Sequence, residues 1–333
     1  MSYVCPVDQS PLRDDGEALV SAAGRRYPRA HGGFDLRPGA GDDNKRLQAD
    51  IYDQMLGELT DFDHPHNLTL VHQRGLLDRL TLRHGDPVLE IGGHRSGTLP
   101  YLERHHGVVG HGLDISPVWV AAHNALARAR HSSTTWVLGD AEHLPFASDS
   151  LAAVVAFDVF EHLSHLDAAL RGVARVLSPG GMLVCHMPVR DIGGSLDGLS
   201  RRRDAAAFAA RQATVGHFHE RMPRRDQMRT KLEAAGLDVL DVISFNAWVQ
   251  PIHDHRLLPV LGRWRHRGEP AATTGGARGG TDASALPRQS ASGFQKFYAT
   301  TVVPLARALS WPDQVAVALG IGGSCSFVAR KGR

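Results

Sequence analysis

Three observations predict that this chain is an α/β protein built on a mostly parallel sheet. The first is Pro87-Val88-Leu89-Glu90-Ile91-Gly92-Gly93, a short apolar run that closes on an acid and two glycines. It gives way to Thr98-Leu99-Pro100-Tyr101-Leu102-Glu103-Arg104, which reads as the start of a helix, so the segment is a strand, a tight turn and a helix. The second is the recurrence of that pattern: Gly110 to Asp114, Trp136 to Asp140 and Leu151 to Asp158 are further short apolar runs, each ending in an acid. The third is the nearly uniform apolar character of Leu151-Ala152-Ala153-Val154-Val155-Ala156-Phe157. A strand with one wet face alternates, whereas a parallel strand covered by helices on both faces does not.

The elements follow in order. Residues 1–40 are rich in turn formers around Cys5-Pro6-Val7-Asp8, Arg26-Tyr27-Pro28 and Gly33-Phe34, and predict a small β-rich module. Residues 44–85 predict a helical cap, because Leu68, Leu70, Val71, Leu76, Leu77, Leu80 and Leu82 recur at spacings that suit one apolar face. The glycine turn, framed by a strand's carboxyl end and a helix's amino end, lets a ligand approach the backbone closely. Asp114 follows it by about 20 residues, where an acid that binds a ribose hydroxyl is expected. Leu177-Ser178-Pro179-Gly180-Gly181 stops a helix, and Met182 to Met187 begins a fifth strand. An insertion at 191–222 precedes a helix at 223–235 and a strand at 238–245. Residues 265–293 have no apolar period and read as a linker. Beyond them Phe297, Tyr298, Val302, Val303, Leu305, Ala306 and Leu309 suggest an amphipathic helix interrupted by Pro304, and Ser324 to Ala329 a last strand.

The succession resembles the class I S-adenosylmethionine-dependent methyltransferases, of the ubiquinone/menaquinone C- and O-methyltransferase type. The turn at Glu90 to Gly97, Gly112-Leu113-Asp114, Gly139-Asp140-Ala141-Glu142-His143-Leu144-Pro145-Phe146, Phe157-Asp158-Val159-Phe160-Glu161-His162-Leu163 and Arg175 to Gly181 carry the resemblance. It implies a Rossmann-like seven-stranded, mostly parallel sheet with helices on both faces over 86–245, a linker and helical C-terminal insertion at 246–323, and a last core strand at 324–333. It also implies S-adenosylmethionine as cofactor. Glu90, Gly92, Gly93 and Gly97 would lie under its methionine part, Asp114 with Ile115 would take the ribose, Asp140 and Ala141 would meet the adenine, and Asp158 would stand beside the transferable methyl. The family turn is usually acid-x-Gly-x-Gly-x-Gly. Here Gly93 comes early, His94 stands at a glycine position and Gly97 comes late, so either the loop carries an insertion or His94 is forced into an unfavourable backbone conformation.

Two further resemblances concern metal. Residues 1–40 are similar to the zinc-ribbon module that precedes some methyltransferase domains, but a closed zinc site needs four nitrogen or sulfur ligands. Only Cys5 is present, with Asp8 where the next thiol would be, so the module is expected to hold no metal. Asp158, Glu161 and His162 form an acid-x-x-acid-His pattern similar to the magnesium site of ubiquinone-pathway O-methyltransferases. Glu-His-Leu is also widespread in metal-independent members, and no metal is expected.

Composition narrows the function. A net charge of +2 is too small to argue for nucleic acid. The start lacks a basic, then apolar leader, no apolar run of about 18 residues is present, and Cys5, Cys185 and Cys325 are too few for a disulfide framework, so a cytoplasmic protein is expected. The leading reading is methyl transfer to a small-molecule hydroxyl or carbon of a specialised, quinone or lipid-type metabolite. Its alternatives are an RNA methyltransferase, suggested by the ribbon-like start and Arg201-Arg202-Arg203, and a non-catalytic methyltransferase-like partner protein. Peripheral lipid contact and homodimer formation stay open. Proton removal falls to His217, His219 or His162, with His186 a further alternative, because imidazole changes charge nearest neutral pH. Segments 191–222 and 246–323 are expected to shape the acceptor pocket.

Overall fold

The computed structural model of the chain describes residues 3–39, 43–53, 59–94, 96–213, 222–253 and 296–332. Among these residues the amino-terminal strands β1 (Arg13–Asp14), β2 (Ala18–Val20), β3 (Arg26–Ala30) and β4 (Gly33–Phe34) form an antiparallel sheet in chain order. Helices α1 (Asp43–Asp53) and α2 (Leu68–Leu77) follow, and then the main unit: β5 (Pro87–Ile91), α3 (Thr98–His106), β6 (Val109–Asp114), α4 (Pro117–Ala129), β7 (Thr135–Leu138), β8 (Leu151–Phe157), α5 (Leu166–Val176) and β9 (Leu177–Pro188). The remainder is α6 (Leu196–Arg203), α7 (Ala205–Ala213), α8 (Arg225–Ala234), β10 (Leu237–Phe245), α9 (Val249–Ile252), a π-helical turn at Tyr298–Val302, α10 (Val303–Leu309), α11 (Trp311–Ala318) and β11 (Ser324–Lys331).

The main sheet runs β10-β11-β9-β8-β5-β6-β7. From β9 to β7 the strands are parallel, and β11 is antiparallel to both β9 and β10. Covering both faces is what makes the central strands apolar throughout: Val88, Leu89, Val154 and Val155 have no exposed surface, and each such side chain stabilises the fold by ~1.5–3 kcal/mol. The helices start where the sequence supplies caps. Asn67 accepts from the Leu70 N–H before α2, and Ser116 accepts from the Trp119 N–H ahead of Pro117 at the start of α4.

The amino-terminal sheet shares the main core. Cys5, Leu19, Tyr27 and Leu36 pack in one cluster with Leu89, Val154 and Phe146. Leu36 N–H donates to Leu138 O at 2.7 Å, so the module covers the open edge of β7. Cys5 Sγ lies 3.2 Å from the Tyr27 hydroxyl, and Asp8 accepts from both the backbone and the hydroxyl of Ser10.

Two local readings differ from the structure, and one open alternative is removed. The 44–85 stretch is two helices rather than one, and residues 59–67 between them are irregular. Strand β9 begins at Leu177, not Met182; its Pro179-Gly180-Gly181 segment is absorbed as a register shift opposite Leu151 and Ala153, with Gly180 at φ +81°. His94 is absent from the positive-φ residues, so its backbone is not strained as a glycine replacement would be. The non-glycine residue in that region near the site is Asp158, at φ +54°.

Candidate active site

The carboxyl ends of β5, β6, β7 and β8 open onto a cavity of about 490 Å³. It lies where successive connections leave the sheet in opposite directions from β5, the position at which open α/β sheets bind ligands. Glu90, Gly92, Asp114, Ile115, Asp140, Ala141 and Asp158 line its floor. Lys45, Gln48 and Tyr52 of α1 form the roof, and Thr69, Leu70 and Gln73 of α2, with residues 59–67, form the far wall. Gly93 and Gly97 stand behind the lining. A Cβ on Gly93 would come 2.2 Å from the Trp136 ring, and one on Gly97 would come 2.0 Å from Thr60 O. The early glycine is therefore required by the indole beneath it.

Two buried carboxylates face the cavity. Burial pushes Glu90 up to about 7, against the hydroxyls of Ser96 and Thr98 that favour its ionised form. One of its oxygens accepts from Ser96 Oγ, and the other, Oε2, is buried without a hydrogen-bond partner. A buried acceptor in that position fits a cationic donor supplied by a ligand. Burial likewise pushes Asp114 up to about 6, although it accepts from the Ser116 N–H at 2.7 Å and the Gly93 N–H at 2.5 Å. The Gly93 peptide is held at its other end too, because His123 Nε2 lies 2.5 Å from its carbonyl oxygen. The His123 ring stacks on Trp136 at 4.2 Å, and burial pushes its pKa down to about 4, so it donates as a neutral imidazole. Neither His123 nor Trp136 was a candidate from sequence: both act through an interhelical and cross-strand meeting that leaves no local pattern.

The adenine-side acids are tied to the roof. Lys45 Nζ donates to Asp140 and Glu142, each at 2.7 Å. Burial opposes the Lys45 charge, but the two carboxylates outweigh it and raise its pKa; burial also opposes ionisation of Glu142, and Lys45 outweighs that and lowers it. Asn44 donates to His162 O at 2.8 Å, the Tyr52 hydroxyl meets His162 Nε2 at 2.9 Å, and Ser116 Oγ donates to Asp53. His94 packs between Tyr52 and Trp119, at 4.9 and 5.1 Å. Helix α1 is thus fastened across the cavity by both of its ends.

Asp158 projects into the cavity with its side chain 45% exposed. Gln73 Nε2 donates to it at 3.4 Å, and His186 Nε2 lies 3.8 Å away. Behind it runs a chain: His186 Nδ1 and His72 Nε2 sit 2.9 and 2.8 Å from the one Ser326 hydroxyl. Burial pushes His186 down to about 4 and His72 to about 3, so both imidazoles are neutral at pH 7. A hydroxyl has one hydrogen to give, and a carboxylate only accepts. The arrangement that satisfies every group has His72 Nε2–H donating to Ser326, Ser326 donating to His186 Nδ1, and His186 Nε2–H pointing at Asp158.

Of the candidate bases, His162 lines the cavity but is committed to Tyr52, and His186 stands behind Asp158. His217 and His219 lie outside the described residues. The acceptor-side wall also differs from expectation: among the described residues, none of 191–213, 222–253 or 296–323 lines the cavity. Gln250 reaches it only indirectly, through Thr69 Oγ1 at 2.8 Å. Asp158, Glu161 and His162 do not gather around one point; among the described residues the trio that does is Asp140, Glu142 and His143, where the Lys45 ammonium already sits.

Residues 89–185 match the family model described as a methyltransferase domain. Methyltransferase GfsG of Streptomyces halstedii is 28% identical over 196 residues, which cover 56% of this chain and 67% of that protein. The mitochondrial 2-methoxy-6-polyprenyl-1,4-benzoquinol methylase of Rattus norvegicus is 28% identical over 148 residues, 40% of this chain and 44% of that one. The chain thus spans less than half the length of the benzoquinol methylase. The phosphoethanolamine N-methyltransferase 2 of Haemonchus contortus in complex with S-adenosyl-L-methionine shares the fold at a TM-score of 0.56 and 14% identity, over 97% of this chain and 71% of that one. The sheet order, the acids at the ends of β5 to β8 and these likenesses together show a methyltransferase domain of the class I, S-adenosylmethionine-dependent fold over residues 89–185.

Proposed function

We propose that the chain transfers a methyl group to a hydroxyl or acidic carbon of a small, largely apolar acceptor, and that Asp158 accepts the proton. The carrying observation is the lobe between Asp158 and α2. Phe62, Leu70 and Phe157 give it apolar walls, while Gln73 and Asp158 are brought together at one place on its surface. Such a mixture holds an apolar body and fixes one polar group. A sulfonium methyl is already electrophilic, so the protein supplies alignment and removal of a proton. Glu90, Asp114 and the Gly92-Gly93 turn would hold the cofactor, and the neutral His186 would orient the Asp158 carboxylate. The relatives' names support this substrate class: a polyprenyl benzoquinol methylase and a phthiotriol dimycocerosate methyltransferase of Mycobacterium leprae, the latter 31% identical over 129 residues.

The test is to incubate the full chain with trideuteromethyl cofactor and a panel of quinols, phenols, polyketide alcohols and unmodified RNA, and to read label by mass spectrometry. Label on a hydroxyl or carbon of a small molecule is expected. Label on RNA alone would overturn the reading.

A further inference from the structure

Segments that follow three different strands converge on one aromatic side chain of the roof, Tyr52. After β5, the His94 ring lies 4.9 Å from the Tyr52 ring at an interplanar angle of 50°. After β6, Ser116 donates to Asp53, the neighbour of Tyr52 in the chain, and Trp119 Nε1 of α4 donates to the Tyr52 carbonyl oxygen at 3.0 Å. After β8, His162 Nε2 lies 2.9 Å from the Tyr52 hydroxyl, and the two rings meet edge-on at 5.8 Å. The ring is thus anchored at its hydroxyl, along one side and through its own backbone, and its direction is fixed by the protein itself.

The same three strands end in or lead into Glu90, Asp114 and Asp158, and Tyr52 lines the cavity across from them. In the placement given above, Glu90 and its turn hold the methionine part of S-adenosylmethionine, Asp114 the ribose, and Asp158 stands beside the methyl. Those three parts are the three substituents of the sulfonium. The charged sulfur therefore falls at the junction that Tyr52 covers.

Charge makes that junction suit a cation. Among the described residues Lys45 is the one ammonium or guanidinium lining the cavity, and it is taken up by Asp140 and Glu142. Burial, then the charges of Glu161, Asp158 and Asp114, holds the Tyr52 phenol far above its ordinary pKa, so the ring stays uncharged. An uncharged aromatic face attracts a cation through its quadrupole, more strongly where water is excluded. A thioether sulfur carries no charge and receives no such attraction.

We propose that the Tyr52 ring binds the sulfonium through its face, and that the site thereby favours S-adenosylmethionine over its thioether product. The inference rests on the cofactor placement under the proposed function and requires no particular acceptor.

The experiment is calorimetry of the full chain with S-adenosylmethionine and, separately, S-adenosylhomocysteine. Tyr52→Leu and Tyr52→Met, two variants without the ring, are expected to lower the ratio of the two affinities, charged over neutral, by roughly 3- to 30-fold, the range of a cation–π contact. Tyr52→Phe keeps the ring and loses the hydroxyl's tie to His162, and should keep the wild-type ratio. Asp114→Ala should weaken both ligands alike, because both carry the ribose. Retained binding of S-adenosylhomocysteine by a ring-free variant shows that it is folded. Ring-free variants that lose affinity for both ligands equally would overturn the proposal and leave Tyr52 as a covering contact. A Tyr52→Phe variant whose ratio falls as far as theirs would overturn it in favour of the hydroxyl. Unchanged affinities in Asp114→Ala would instead overturn the cofactor placement, and the proposal with it.

Discussion

Binding of S-adenosylmethionine near pH 6.5 is expected to release about one proton, and the amount follows from the two buried carboxylates. Glu90 rises from 4.5 to about 7 in the cavity, and Asp114 from 3.8 to about 6. At pH 6.5 about three quarters of Glu90 and about one quarter of Asp114 are then protonated. The cofactor's ammonium, which the family resemblance places over Glu90, favours the ionised carboxylate, and ribose hydroxyls donated to Asp114 do the same. These fractions, about one proton in all, leave on binding. Without ligand, the raised pKa of Glu90 gives a stability contribution fully present below about pH 4.5 and lost as pH rises through about 7. It amounts to ~3 kcal/mol at 1.36 kcal/mol per unit. The cofactor should therefore stabilise the protein more at pH 7.5 than at pH 5.5. Calorimetry at pH 6.5 in buffers of different ionisation enthalpy measures the proton count directly. Glu90→Gln should reduce it to about a quarter of a proton. Heats that do not vary with the buffer, or a Glu90→Gln count equal to that of the wild type, would refute the argument.

Other outcomes are expected from the same geometry. Asp114→Ala removes the acceptor for the ribose and should weaken cofactor binding by about 1.5–3 kcal/mol; equal affinity by calorimetry would dismiss the assignment. Lys45→Ala leaves Asp140 and Glu142 facing each other and should cost ~3 kcal/mol in chemical denaturation. Because Lys45 holds Glu142 below its ordinary value, the wild type keeps this stability above about pH 4.5 and loses it as pH falls further; a variant with an unchanged midpoint would contradict the ion pair. His72 and His186 should remain neutral at pH 5.5 in nitrogen-detected NMR. As pH drops below about 6.5 the unfolded chain takes up protons that the native imidazoles refuse, so stability declines toward pH 4, and His186→Gln should reduce that slope. An imidazole at either position that titrates near 6.5 would be the contrary result. Elemental analysis should find no tightly held zinc, since Cys5 alone cannot supply a closed tetrahedral site; one zinc per chain would reverse this.

The sequence by itself determined the parallel sheet and the cavity floor. Strand β8 had to be covered on both faces because it has no polar side, and the turn after β5 had to be tight because Gly92 and Gly93 end an apolar run. The acids at the ends of β5 to β8 were legible for the same local reason: each closes its own strand, so no knowledge of neighbouring elements is needed. What those acids meet was decided by tertiary structure. Lys45 reaches Asp140 and Glu142 across sequence separations of 95 and 97. His72 and Ser326, 254 apart, meet only because β11 enters the sheet beside β9 while α2 lies over it. Trp136 forces glycine at 93 from a different strand, and His123 holds the Gly93 carbonyl from a helix. Hydrophobic periodicity and turn chemistry are properties of consecutive residues and survive in the sequence; a buried hydrogen bond depends on where two elements cross, and that position is set by how the whole core packs.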